Sequence, residues 1–142
     1  MKSTAVFFDT NVILNYMTGR DDKETLASRE MIRLCASGII KGYMALHSVS
    51  TIWYVLRKRP AKERRQWLRA ICNTLSVVGV PHESVLEAIE RESFDDLEDC
   101  LVEQSAIYAG TDCILTANLK DFRYSSVPAT TPSNWLANWI PD

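Results

Sequence analysis

Four residues near the start of the chain, Ala5-Val6-Phe7-Phe8, are apolar without a break and stop at Asp9-Thr10-Asn11. A strand with one wet face alternates apolar and polar residues, so an unbroken apolar run of this length reads as a strand buried on both faces. Burial on both faces needs a layer of helices on each side of the sheet, which confines the chain to a layered α/β architecture. The run Cys113-Ile114-Leu115-Thr116 repeats the pattern and again gives way to polar residues, Asn118 and Asp121.

Helical patterns lie between these strands. Residues 12–17 read as a short helix that stops in the Gly19-Arg20-Asp21-Asp22 turn. Residues 23–37 carry Leu26, Ala27, Met31, Leu34 and Cys35 at helical spacing, and Gly38 ends them. Residues 39–46 hold extended chain. Ser48 or Ser50 is expected to cap a helix whose run Ile52-Trp53-Tyr54-Val55-Leu56 is apolar on nearly all sides, and therefore central. Pro60 opens the next helix at its first position, with Trp67, Leu68, Ile71 and Cys72 facing inward. Residues 75–80 form a strand, 83–91 and 96–109 two helices, and 127–130 a last strand before Pro132 opens a helix with Trp135, Leu136 and Trp139. Strands separated by helices, without tight hairpins, predict a three-layer α/β/α sandwich on a mostly parallel sheet, with residues 1–142 forming one domain.

A net charge of −2 neither recruits nor excludes nucleic acid, so only local patches bear on that question. No apolar run reaches membrane-spanning length and no processing pattern marks the N-terminus, so a cytoplasmic protein is expected. The cysteines Cys35, Cys72, Cys100 and Cys113 form no C-x-x-C pair and lie in apolar contexts, which predicts buried free thiols. With only His47 and His82 to add, a zinc–thiolate site is not expected.

The polar residues that end the strands carry the chemistry. Asp9 stands at the carboxyl end of a buried strand, where open α/β sheets place their ligands, and Thr10 or Asn11 is expected to cap the helix that follows. In Asp95-Asp96-Leu97-Glu98-Asp99-Cys100-Leu101, the residues Leu97, Cys100 and Leu101 read as a buried face, while Asp96, Asp99 and Glu103 share another. Helix-end chemistry accounts for part of this cluster, with Asp95 as N-cap and Glu98 as its capping-box partner. It does not account for Asp99, further in and beside the buried face. A turn is a sufficient explanation for Asp-Thr-Asn or Thr-Ala-Asn alone. In a parallel sheet, however, the strand ending at Thr116 finishes on the same edge as the Asp9 strand, so Asn118 and Asp121 approach Asp9 and Asp99. Such a set of carboxylates and a carboxamide suits Mg²⁺ or Mn²⁺, which prefer oxygen ligands and retain several waters.

In order and spacing these stretches resemble the PIN domains, known as single-domain ribonucleases and as VapC-type toxins of toxin–antitoxin pairs. Phe-Phe-Asp-Thr-Asn-Val-Ile-Leu at 7–14 resembles the family's first motif, residues 50–58 its second, 96–101 its third and 112–122 its fourth. Residues 127–132 are similar to the closing strand and helix start of one bacterial subgroup. The resemblance implies that Asp9, Asp99 and Asn118 are catalytic and that, with Asp96 and Asp121 beside them, they hold Mg²⁺ (or Mn²⁺). PIN nucleases usually have Glu or Asp where this chain has Thr51, with Ser48 and Ser50 nearby as hydroxyls; the bacterial subgroup often has a neutral polar residue there. The implied activity is hydrolysis of RNA phosphodiester bonds, and the implied partners are an RNA substrate, a small antitoxin protein and a second copy of the chain. The alternative is a PIN-fold module with weak or no catalysis that binds RNA or protein. A nucleotide-binding α/β protein is disfavoured, because no glycine-rich loop follows the first strand.

The densest positive charge is Arg57, Lys58, Arg59, Lys62, Arg64, Arg65 and Arg69, next to Trp53 and Tyr54. Basic residues beside aromatic faces suit a single RNA strand, and a solvated helix face accounts for the same pattern. Trp53 and Tyr54 by themselves read as core, as do Trp135 and Trp139, and His47 reads as a structural residue at a strand end.

Overall fold

The computed structural model describes residues 4–140. Five strands, β1 (Ala5–Phe8), β2 (Lys41–Ala45), β3 (Ser76–Val78), β4 (Cys113–Leu115) and β5 (Ala129–Thr130), make one sheet in the order β3-β2-β1-β4-β5. Every pairing in it is parallel. The helices are α1 (Thr10–Thr18), α2 (Lys23–Ala36), α3 (Leu46–Val55), α4 (Ala61–Thr74), α5 (His82–Glu90), α6 (Leu97–Ala109) and α7 (Pro132–Asn138), and a 3₁₀ turn spans Leu119–Phe122.

The apolar run of β1 is used on both faces. Val6 and Phe8 enter one core with Met31 of α2, Ile52 of α3 and Ile71 of α4, while Phe7 enters another with Cys100, Val102 and Ala106 of α6. The three-layer sandwich expected from the sequence is therefore present. Gly38 and Gly110 end α2 and α6 with φ of 81° and 70°, a region that glycine occupies without steric cost.

Several local expectations are corrected. Helix α3 begins at Leu46, directly after β2, with Ala45 at its N-cap and no side-chain cap, so neither Ser48 nor Ser50 plays that part. Nor is α3 central: Ile52 is buried, whereas Tyr54 and Val55 are exposed. Pro60 is the N-cap of α4 rather than its first residue, and Cys72 faces solvent while the other three cysteines are buried. Leu26 and Leu97, assigned to buried faces by their spacing, are about half exposed at 53% and 49%. Trp135 and Trp139 stack on one another and pack α7 onto the core, as expected.

From β1 the chain builds outward through β2 and β3, then returns to the other side of β1 for β4 and β5. The direction of winding thus reverses between β1 and β4, the position where open parallel sheets leave a crevice at their carboxyl ends. The register pairs Phe8 with Leu115, so the next residues, Asp9 and Thr116, face each other across that crevice.

Candidate active site

Asp9 joins the two strands at the crevice. Its backbone N–H donates to the Leu115 carbonyl (2.9 Å). Its carboxylate Oδ1 accepts from the Thr10 N–H (2.9 Å), and Oδ2 accepts from the Thr116 hydroxyl (2.8 Å). Asp9 is therefore itself the N-cap of α1, in place of Thr10 or Asn11. Thr10 instead shares a 2.6 Å hydrogen bond with Ser48 of α3, and Asn11 Oδ1 accepts from the Ala117 N–H (3.1 Å). Asp9 is 6% exposed, and burial raises its carboxyl from the usual 3.8 to about 6 despite the two bonds that favour the anion.

Asp99 reaches the crevice from the first turn of α6. The N-cap of that helix is Asp96, whose Oδ1 accepts from the Glu98 N–H (2.9 Å), not Asp95. With the cap one residue later than expected, Asp95 is left exposed, 3.8 Å from Arg123, and no capping box forms. Glu98 turns toward His47 instead, with Oε1 3.9 Å from Nε2. The Asp99 carboxyl is raised to about 7, first by burial and then by the charges of Asp9, Asp121, Asp96 and Glu98. Asn118 closes the far side: its N–H donates to the Thr116 hydroxyl (3.1 Å) and its Nδ2 to Asp121 Oδ2 (2.7 Å).

Asp9, Asp99, Asn118, Asp96 and Asp121 thus lie near one another at one edge of the sheet. Their donor atoms are all oxygen and their negative charges repel, a tension that a hard cation relieves. Among the described residues no three His, Cys, Asp or Glu side chains form a ready-made metal cage. The acids therefore face one another at electrostatic rather than coordinating range.

Helix α3 adds no charge. The Thr51 hydroxyl donates to the His47 carbonyl one turn back (3.2 Å), Ser48 is fully buried on Thr10, and Ser50 faces a groove. That groove, about 810 Å³, is walled by Leu46, Val49, Leu68, Val85 and Leu101, with Trp53, Arg65 and Arg69 along one side. The aromatic faces beside the basic segment are occupied by the chain's own cations. Arg64 lies over the Trp53 ring at 3.9 Å and Arg57 over the Tyr54 ring at 4.3 Å.

Two residues at this edge escape a reading by spacing alone. Glu103, grouped with Asp96 and Asp99 on one face, is instead fully buried, and Arg91, seen only as a helix end, pairs with it. No local signal marks them, because Glu103 sits in the polar run Glu103-Gln104-Ser105, which the fold nonetheless buries throughout.

A family model described as "PIN domain" matches residues 5–120. Ribonuclease VapC1 of Aquifex aeolicus is 27% identical over 143 residues, covering 98% of either chain. Among solved structures, VapBC2 from Rickettsia felis bound to a DNA fragment from their promoter superposes with a TM-score of 0.69 at 14% identity, over 90% of this chain and 98% of that one. A toxin–antitoxin complex from Klebsiella pneumoniae gives 0.66 at 18% identity, over 89% and 97%. Mycobacterium tuberculosis VapC20, a sarcin–ricin loop cleaving toxin, gives 0.58 at 15% identity, over 96% and 98%. At these identities the solved structures speak for the fold.

Proposed function

Since the chain belongs to the PIN domain family, we propose that it is a Mg²⁺- or Mn²⁺-dependent endoribonuclease acting as the toxin of a toxin–antitoxin pair. The observation that carries this reading is the crevice between β1 and β4. There Asp9 is fixed by two hydrogen bonds and Asp99 lies within range of its charge, both with carboxyls raised by burial and by neighbouring charge. Perturbed carboxyls in a crevice at a switch point are what a nuclease site requires and what a plain turn does not.

Asp9 and Asp99 are the anionic ligands. Asn118 contributes its amide oxygen, since its amide nitrogen is committed to Asp121. Thr10 and Thr116 hold the Asp9 carboxylate in place, and Asp96 fixes the start of α6 and with it Asp99. A bound divalent cation supplies Lewis acidity toward a phosphoryl oxygen and lowers the pKa of a water. The exposed charges of Arg57, Lys58, Lys62 and Arg65, with the half-buried Arg59, meet the phosphates. With Arg57 and Arg64 already lying on Tyr54 and Trp53, an RNA base has the outer guanidinium planes to stack on rather than the bare rings.

The groove beside α3 and α4 supports the antitoxin part of the reading. Its aliphatic walls fit the apolar face of a short amphipathic segment, and Arg65 and Arg69 fit an acidic residue on that segment. The similar structure from Klebsiella pneumoniae is a toxin–antitoxin complex.

RNA cleavage that requires added Mg²⁺ or Mn²⁺ and stops on chelation tests the nuclease. No response to either metal at millimolar concentration favours the second reading, a binding module with little catalysis, for which the uncharged α3 is the specific observation. Thr51→Glu separates the two further. A carboxylate one turn beyond His47 would restore a third full charge, and cleavage at limiting metal should rise about tenfold. Unchanged or lower cleavage would mean that the missing acid does not limit the reaction.

A further inference from the structure

Beneath the crevice lies an ion pair that the reading above does not use. Glu103 is one turn beyond Asp99 on α6 and has no exposed surface. Its Oε2 accepts from Arg91 Nη2 (2.9 Å) and from the Ser126 N–H (2.7 Å), with the Ser126 hydroxyl at 3.4 Å. Arg91 Nε lies 2.8 Å from Oε1, close but too poorly aligned for a hydrogen bond. The same Nη2 also donates to the Tyr124 carbonyl (2.8 Å).

These contacts join three segments. Arg91 opens the connection from α5 to α6 that carries Asp95 and Asp96. Tyr124 and Ser126 belong to the segment that follows the 3₁₀ turn carrying Asp121, with Asn118 at its cap. Glu103 stands on the helix that carries Asp99. A second tie runs parallel to the pair: Arg91 lies 5.4 Å over the Phe94 ring, and Phe94 meets Phe122, the last residue of the 3₁₀ turn, edge to face at 6.3 Å. A buried ion pair costs desolvation, and removing one partner strands the other charge, so a pair placed here is weak evidence for stability as such. Its partners point elsewhere, since each bond beyond the pair itself goes to a segment bordering the carboxylate edge.

We propose that the Arg91–Glu103 pair is a positioning device for the cleavage reaction, clamping the 91–96 and 119–127 segments so that Asp99 and the Asn118–Asp121 side of the site keep their spacing. Neither residue touches the reacting atoms. The proposal rests on the ribonuclease reading for its catalytic consequence and on the hydrogen bonds alone for the clamp.

The test uses Glu103→Gln, nearly isosteric and able to keep the bond from Ser126, with Arg91→Ala and the double variant. In hydrogen exchange, both segments should exchange faster in each variant while β1 and β4 stay protected. In RNA cleavage well below the melting temperature, kcat should fall about tenfold with KM within about twofold, because a small misplacement of a reacting group is costly. The double variant should be no worse than either single one, as for residues acting as a unit. Added guanidinium should restore kcat in Arg91→Ala alone, since the Arg91 side chain is 29% exposed and its vacated site is open to solvent. Unchanged exchange in either segment, a wild-type kcat, or additive losses would overturn the proposal. If the wild-type protein cleaves no RNA, the ribonuclease reading fails separately, and the clamp then stands or falls on the exchange of residues 119–127.

Discussion

Asp99→Asn is expected to abolish metal-dependent RNA cleavage and, in the absence of metal, to raise the melting temperature at neutral pH and above. The two effects have one cause. Burial and the charges of Asp9, Asp121, Asp96 and Glu98 raise the Asp99 carboxyl to about 7, against 3.8 for an ordinary aspartate. A carboxyl raised on folding favours the folded state fully below its unfolded value, and that contribution is lost as pH rises through the folded value. Above about pH 7 the Asp99 anion therefore works against the fold, and a neutral amide removes that strain. Thermal unfolding with chelator should show a variant a few degrees more stable than wild type at pH 8, with the difference shrinking toward pH 4. The wild type should recover the difference on adding Mg²⁺ or Mn²⁺, because a ligand of the folded state stabilises it, and Asp99→Asn should not respond. Asp9→Asn should likewise lose cleavage and metal response. Its melting temperature is a poorer guide, because Asn can keep the bond from Thr10 but must turn an N–H toward the Thr116 hydroxyl. Cleavage that survives either substitution would sink the assignment of these carboxylates.

Cleavage at limiting metal is expected to climb steeply between about pH 5 and pH 8. Both carboxylates must be ionised to bind a cation, and Asp9 and Asp99 sit at about 6 and about 7. At pH 5 each is mostly protonated, so the rate should fall about a hundredfold or more below its plateau, with a slope above one because two groups titrate together. Cations and protons compete for the same oxygens, so more Mn²⁺ should move the rising limb to lower pH. A limb that ignores metal concentration would separate these carboxylates from metal binding. A rate already flat at pH 5 would mean that the crevice does not raise their pKa values in solution.

The layered fold and the identity of the acidic edge were legible from residues 5–9 and 113–121. An unbroken apolar run can be satisfied only by cover on both faces, and a polar residue that ends it must stand at the sheet's rim. Asp9 and Asn118 were legible for that reason, whereas Asp99 stood out only as an acid inside a helix beside its buried face, and the family resemblance suggested their roles. Spacing was a weaker guide where several acids or hydroxyls crowd one helix end. Asp95 and Asp96 are equally good caps in sequence, and the contest is decided by where the chain turns into α6. Leu97 and Glu103 exchanged their expected environments, with Leu97 half exposed and Glu103 buried, because helical periodicity describes a face without saying what covers it.

The sequence by itself determined that two strands buried on both faces end in polar residues, Asp9 and Thr116, because hydrophobic burial and chain direction are local consequences of residue order. Only the tertiary structure decided that β1 and β4 are neighbours, that Asp9 therefore meets Thr116 across the switch point, and that Arg91 finds Glu103 twelve residues away. Strand order and the partner of a buried charge depend on contacts between segments remote in sequence, and no local propensity encodes those.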